Sequence, residues 1–532
     1  MGTKKGITRR NFIAGASATM LAAGAASTAF ADGADEEEVA YTITQTFDAD
    51  IAVCGTGVSG MAAALSAAEN GAKVIVVEKL TEEGVGGSSN GTSGLWGIDK
   101  SLVGTSERFM GVDEFFARAY EYQEYASSAA VTRKFLEESG DTFYWLRDDI
   151  GVEFLDFGMA GYAHIYAGGD ENMRNCGRGA IKTEYAVAKE RGIEFIFEAP
   201  AKKVLIEDGK VVGLIAAEDP ANAVQINCKA VIIATGGYTA SRKVFNMFTH
   251  VNYDLIADAG VPGRDGDGIL MGIDAGAALH LPSAVNYAAP TMRGEPEEGV
   301  PHTITCNQFP CIWVNEAGIR FTNEEKVQDW TKSGNALANE HQPFSIVDTA
   351  FFEHIMEDGL WSGATGIGTE ALKVGVPKPN VYEECEMERK LNEDDPVAFK
   401  ADTIEELAEK CGIDPVGLVE TIERYNKACE EGKDPYGKSP EYLYPISKPP
   451  FYAFKMQILV MGTCGGIKID DRMRALSAEN NHVIPGLYVV GSDAGGFFGY
   501  YYDYALAPGS MNGWCVTSGR LAGADAAAYV QA

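Results

Sequence analysis

Asp50-Ile-Ala-Val-Cys54-Gly55-Thr56-Gly57-Val58-Ser59-Gly60 decides the fold. A short apolar run enters a G-x-G-x-x-G turn, an alanine-rich stretch follows to about Asn70, and Gly71 closes it. Lys73-Val-Ile-Val-Val-Glu78 then reads as a second strand. Strand, glycine turn, helix and strand together form the context in which these glycines bind a dinucleotide. Gly55 permits the tight turn, Gly57 lets a pyrophosphate approach the backbone, and Gly60 lets the helix pack on the strand. Val58 and Ser59 open the helix, whose N–H groups and positive dipole end face the phosphates. Glu78 falls 23 residues after Gly55, where a carboxylate can take ribose hydroxyls.

Three further stretches select FAD over NAD. Gly86-Gly87-Ser88-Ser89 is a loop rich in backbone N–H donors. Val231-Ile-Ile-Ala-Thr235-Gly236-Gly237 is a buried strand running into a glycine turn. Gly486-Leu-Tyr-Val-Val-Gly491-Ser-Asp493-Ala-Gly-Gly496 repeats that form near the C-terminus, followed by a helix from about Met511. Each glycine turn alone could be a plain loop. A dinucleotide site drawn from both chain ends, with a long insertion between, is the arrangement expected of an FAD enzyme.

The outer limits of the chain are set by composition. Its 532 residues exceed what one core usually holds, so two or more domains are expected. A net charge of −32 argues against nucleic acid or anionic lipid as a partner, and its plainer meaning is solubility. Lys4, Lys5, Arg9 and Arg10 precede an Ala/Gly-rich run and Ala29-Phe30-Ala31, the pattern of a cleaved signal. Thr8-Arg9-Arg10-Asn11-Phe12-Ile13 resembles a twin-arginine signal, so residues 1–31 are expected to direct export to an extracytoplasmic site. Residues 32–47, with Asp35-Glu36-Glu37-Glu38, read as an acidic solvated linker. No later stretch has 18 uninterrupted apolar residues, so no stable membrane insertion is expected. The ten cysteines form no C-x-x-C pair; buried thiols are expected, Cys306 and Cys311 among them, and no metal site.

These segments, with Gly266-Asp267-Gly268, Gly318-Ile-Arg320-Phe321-Thr-Asn323-Glu324 and Gly462-Thr-Cys-Gly465-Gly466, resemble the fumarate reductase/succinate dehydrogenase flavoprotein family. That family includes urocanate reductases and 3-ketosteroid dehydrogenases, and the resemblance covers most of residues 48–525. It implies an α/β protein: a Rossmann-type split FAD-binding domain, roughly 48–285 and 445–532, with an inserted α+β capping domain, roughly 286–444. It implies FAD contacts from Lys79, Asp267, Asp493, Gly509 and Ser510 beside the glycine turns. It also implies hydride transfer at flavin N5 to or from a carbon next to an activating group. The Gly86–Gly94 loop holds no histidine, so the FAD is expected to be non-covalent.

The family's active-site positions are altered. Its carboxylate reductases have an arginine proton donor eight residues after Arg320, where this chain has Gln328. Their histidine before the T-x-G-G loop is absent from Val460-Met461-Gly462-Thr463. Eleven residues after Gly491, where they carry a substrate arginine and ketosteroid dehydrogenases a catalytic tyrosine, stands Tyr502, with Tyr504 a close rival and Ala505 the reading obtained by counting back from Gly509. A buried dicarboxylate needs paired cations. Their loss points instead to a planar, largely apolar substrate such as a ketosteroid-like enone, with Tyr502 or Tyr504 exchanging the proton. Packing alone is the plainer reading of Phe497-Phe-Gly-Tyr500-Tyr501-Tyr502-Asp503-Tyr504. Arg320, Asn323 and Glu324 are expected to order the cap, His280 is equally a core residue, and Trp96, Tyr287 and Trp330 are candidate pocket walls. Reduction of a C=C bond next to a carbonyl, with electrons from a separate donor protein linked to membrane quinols, is the preferred reading. An unsaturated-carboxylate reductase with cations from Arg293, Arg174 or Arg178, and an exported flavin electron carrier, are the rivals.

Overall fold

The computed structural model describes residues 39–158, 162–169, 175–258, 263–294, 306, 310–361, 374–384, 387–392, 394, 396–503 and 507–532. Its central layer is a six-stranded sheet in the order Arg474–Leu476, Val483–Val489, Ala230–Ile233, Ile51–Cys54, Val74–Val77 and Glu194–Ile196. Every pairing except the first is parallel. Strands covered on both faces need unbroken apolar runs. IAVC, VIVV and AVII supply them and are buried at all four positions. Two strands of this sheet, Arg474–Leu476 and Val483–Val489, come from the chain's C-terminal quarter, so both ends of the sequence build it.

Helix Val58–Glu69 follows the first glycine turn and packs along the C-terminal helix Ser510–Gln531. Small residues set that distance. A Cβ on Gly519 would stand 2.2 Å from the Ser59 carbonyl oxygen, and one on Gly523 2.3 Å from that of Ala63. The two backbones touch, which fixes the C-terminal helix against the dinucleotide turn.

The acidic segment expected as a linker is corrected at its end. Ile43–Asp48 is an edge strand, parallel to Ala223–Asn227 in a four-stranded sheet. Alternating threonine with Ile43, Gln45 and Phe47 favours an extended chain, and that β-propensity outweighs the nearby acid run. Residues 1–38, and with them the segment expected to direct export, lie outside the described residues.

A further sheet is built on the 13-residue strand Phe451–Thr463, which pairs with Ile256–Asp258, Val285–Met292, Phe344–Asp348 and Ala398–Ala401. It therefore takes in strands on either side of residues 286–444. Behind it lies a buried ionic cluster. Arg320 donates to both oxygens of Glu324, at 2.8 and 2.6 Å, and to Asp434 at 2.5 Å. Lys438 Nζ reaches Glu324 at 3.4 Å and the Cys311 carbonyl at 3.1 Å. Burial opposes ionisation of Glu324, but Lys438 and Arg320 outweigh it and hold the carboxyl below its usual range. As expected, Arg320 and Glu324 order this region; Asn323 caps the turn Glu324–Gln328 through the Glu325 N–H. Cys306 and Cys311 are buried thiols outside any disulfide.

Candidate functional site

A cavity of about 490 Å³ opens along the C-terminal edge of the central sheet. Its wall begins at the first glycine turn. Gly55 holds φ +111°, and a Cβ there would stand 2.5 Å from the Ala234 carbonyl oxygen, so only glycine is accommodated. Gly57, at the helix N-cap, leaves the cavity side open, with Ser89 Oγ 3.8 Å from where its Cβ would lie. Gly60 does not line the cavity; it packs against Gly55 at a distance no Cβ would permit.

Val58 and Ser59 lie on the wall, and Ser89 Oγ accepts from the Val58 N–H at 3.2 Å. Gly86, Gly87 and Ser88 continue it. Glu78 takes the Thr56 N–H at 2.9 Å, the Thr56 hydroxyl at 2.7 Å and the Leu80 N–H at 2.9 Å. Those three donors fix the carboxylate where its remaining lone pairs can take ribose hydroxyls. Lys79 is paired with Asp265 at 2.7 Å and Asp267 at 2.6 Å. Burial disfavours its charge, yet the two carboxylates outweigh burial and raise its pKa. Thr235 and Gly236 line the next stretch, and Gly509 the far end.

Three expected cofactor contacts are corrected. Asp493 is fully buried off the cavity and accepts from the Thr235 hydroxyl at 3.0 Å, the Gly236 N–H at 3.0 Å and the Gly237 N–H at 3.1 Å. It staples two glycine turns together, and no oxygen is left for a ligand. Burial pushes its pKa up against those donors. Gly237 is tied up in that staple, and Ser510, buried, does not line the cavity.

At the opposite end from Glu78 and Lys79, Tyr502, Trp330, Met461 and Asn286 meet. Tyr502 is buried; its hydroxyl oxygen accepts the Gly509 N–H at 2.9 Å, and its carbonyl accepts the Thr331 hydroxyl at 2.9 Å. The tyrosine-rich run thus divides its labour. Phe497 stacks on Trp514 with centroids 5.1 Å apart, Tyr500 is exposed, and Tyr502 faces the cavity. Tyr504 and the Gln328 side chain lie outside the described residues. Trp330 is a wall as expected, whereas Trp96 packs among Phe115, Phe135 and Tyr162, Tyr287 lies under Gly334, and His280 is off the cavity.

Sequence reasoning missed Arg264 and Asn286. Arg264 Nη1 donates to the Met461 carbonyl at 2.7 Å, Nη2 pairs with Asp258, and Nε is buried without an acceptor. Its signal was its place just before Asp265-Gly266-Asp267. Asn286 carried only a weak one, a polar residue inside an apolar strand. Among the described residues the cavity's cations are Lys79 and Arg264, each paired with acid. Arg293 is exposed and bonded to Gln342, Arg178 is exposed, and Arg174 lies outside the described residues.

The family model described as "FAD binding domain" matches residues 50–504. The chain is 31% identical over 496 residues to a vinyl phenol reductase of Lactiplantibacillus plantarum, covering 90% of this chain and 96% of that protein. It is 27% identical to a fumarate reductase (cytochrome) of Shewanella frigidimarina, covering 90% and 77%. The solved structure of 3-ketosteroid delta1-dehydrogenase from Sterolibacterium denitrificans superposes with a TM-score of 0.69 at 19% identity, over 90% of this chain and 99% of that one.

Proposed function

We propose, from the premise that this chain belongs to the FAD binding domain family and binds FAD, that it reduces a carbon–carbon double bond conjugated to a neutral activating group, a carbonyl or a phenolic ring, in a planar uncharged substrate. The coarser part, an FAD-dependent oxidoreductase acting on C=C bonds, rests on relatives that include a vinyl phenol reductase, fumarate reductases and a 3-oxosteroid 1-dehydrogenase. One observation carries the finer reading: the end of the cavity holding Tyr502 is walled by Trp330, Met461 and Asn286, and the cavity's two described cations are already neutralised. A dicarboxylate would enter without the paired charge that its burial demands. The likeness to a vinyl phenol reductase supports a neutral planar substrate.

The glycine turns and Glu78 would hold the FAD, whose reduced ring would supply hydride to one alkene carbon. Tyr502 gives its hydroxyl proton to the neighbouring carbon, and solvent restores that proton. The Gly509 N–H holds the tyrosine oxygen and stabilises the phenolate left behind. Gly509 is also the N-cap of a 22-residue helix, whose positive end faces the same space and favours negative charge there. Trp330 and Met461 exclude water from the reacting carbons.

The second reading, an unsaturated-carboxylate reductase, has one observation in its favour: Arg264 Nε is buried without an acceptor beside the cavity. Anaerobic turnover with reduced viologen decides between them, using an enone and 4-vinylphenol against fumarate, urocanate and cinnamate. Rapid fumarate reduction with the neutral alkenes inert would overturn the proposal. We further propose export by Arg9-Arg10 and electron supply from a separate quinol-linked protein. Retention of the mature protein outside the cytoplasm after Arg9→Lys with Arg10→Lys would overturn the export route.

A further inference from the structure

Asn286 belongs to the strand Val285–Met292, which runs antiparallel to Phe451–Thr463 and sets Asn286 opposite Gly462. The register then shifts, so that Tyr287 pairs with Val460. Such a bulge re-aims a side chain. Here it accompanies a carboxamide on the cavity wall beside Trp330, Met461 and Tyr502. The residue is 1% exposed, and its Oδ1 is buried with no hydrogen-bond donor. Gly462, across the strand pair, has no side chain to supply one.

A buried acceptor without a donor is costly, and native proteins keep few of them. Ala288, Trp330, Leu459 and Met461 form an apolar cluster on this stretch of the strand pair, and no donor among the described residues, Arg264 Nε included, bonds the Asn286 oxygen. The groups suited to phosphate and ribose gather elsewhere, at Glu78, Ser89 and the first glycine turn.

We propose that Asn286 is the specificity residue that accepts a hydrogen bond from an O–H donor on the substrate, and that the substrate is therefore a hydroxylated aromatic alkene rather than a ketone without donors. This rests on the neutral, planar substrate proposed above. It narrows that class, because a steroid-like enone presents its activating oxygen only as an acceptor.

The test is binding to the oxidised, FAD-loaded enzyme, read by perturbation of the flavin absorbance, with 4-ethylphenol and ethylbenzene as probes. The two differ by one hydroxyl. Wild type should bind 4-ethylphenol at least about tenfold more tightly, the scale set by leaving a buried acceptor unpaired. In Asn286→Leu the two affinities should fall within about threefold of each other, with FAD content and flavin midpoint potential unchanged. Asn286→Asp keeps an acceptor at the same place and should keep the preference, which answers the case in which the leucine variant does not fold.

Equal binding of both probes by wild type overturns the proposal, as does a preference that survives in Asn286→Leu. Loss of FAD or a shifted midpoint potential in that variant overturns it too, by assigning the amide to the cofactor. Neither probe carries an alkene to be reduced, so these outcomes are read independently of the alkene panel.

Discussion

Replacing Glu184 by methionine should stabilise the protein, and by more as the pH rises. Glu184 lies on the helix Gly177–Glu190, fully buried, and neither carboxyl oxygen has a hydrogen-bond partner. Its electrostatic neighbour is Tyr166, whose hydroxyl accepts the side-chain amide of Asn512 at 3.0 Å. Burial alone raises the Glu184 pKa from an ordinary 4.5 to about 8. Below pH 4.5 the group is protonated in the folded and unfolded chain alike, and its ionisation costs no stability. Between 4.5 and 8 the unfolded chain releases the proton while the folded chain keeps it, so stability falls as pH rises. At ~1.4 kcal/mol per pH unit, the loss from pH 5 to pH 7.5 comes to roughly 3 kcal/mol. Methionine fills a similar volume without a polar orphan and removes this dependence. With an unfolding entropy of ~2 cal/mol/K per residue over a chain of this length, ~3 kcal/mol corresponds to roughly 3 °C. Calorimetry of FAD-loaded wild type and Glu184→Met at both pH values measures it: the gap in melting temperature should widen by about that amount. A gap that stays constant would show that Glu184 is solvated or ionised in the folded state and would refute the reasoning.

Tyr502→Phe should lower turnover by ~10²–10⁴-fold with FAD still bound, measured by anaerobic steady-state kinetics; wild-type rates would remove Tyr502 from the proton step. Gly57→Val should yield colourless protein, because its side chain would project into the open cavity side facing Ser89; flavin content by absorbance checks it. Lys438→Met strips one partner from buried Glu324 and should destabilise by ~3–5 kcal/mol in denaturant melts, with flavin content retained in the native state.

The parts of the fold legible in the sequence are those where a residue's own backbone does the work. Gly55 is needed at φ +111°, IAVC and VIVV are apolar without interruption, and Gly71 closes a helix of alanines. Each is decided within a few residues. The same holds for the Thr235-Gly236-Gly237 turn and for the start of the C-terminal helix, found at Ser510 where the pattern placed it near Met511. Tyr502 could be reached by counting forward from the fixed turn at Gly491, whereas counting back from the N-cap at Gly509 lands on Ala505, because the two anchors are further apart here than in the family pattern.

What escaped the sequence depends on pairings between distant segments, and those pairings decide the chemistry. Asp493 ends a glycine strand, where a carboxylate reads as a ligand for the cofactor; only its contact with Thr235, Gly236 and Gly237 shows that its oxygens are spent on the fold. Counting arginines raised Arg293 and Arg178, which the structure puts on the surface, and passed over Arg264, which it puts in the cavity. Yet finding a buried guanidinium does not restore a carboxylate site, because Asp258 faces it. A cavity's preference for charge is set by the sum of cation and counter-ion, and that sum is fixed by register rather than by composition. The same reasoning gives Asn286 its weight: a donor-bearing side chain opposite it could satisfy its amide within the protein, but position 462 is glycine, and the donor is left for the ligand to bring.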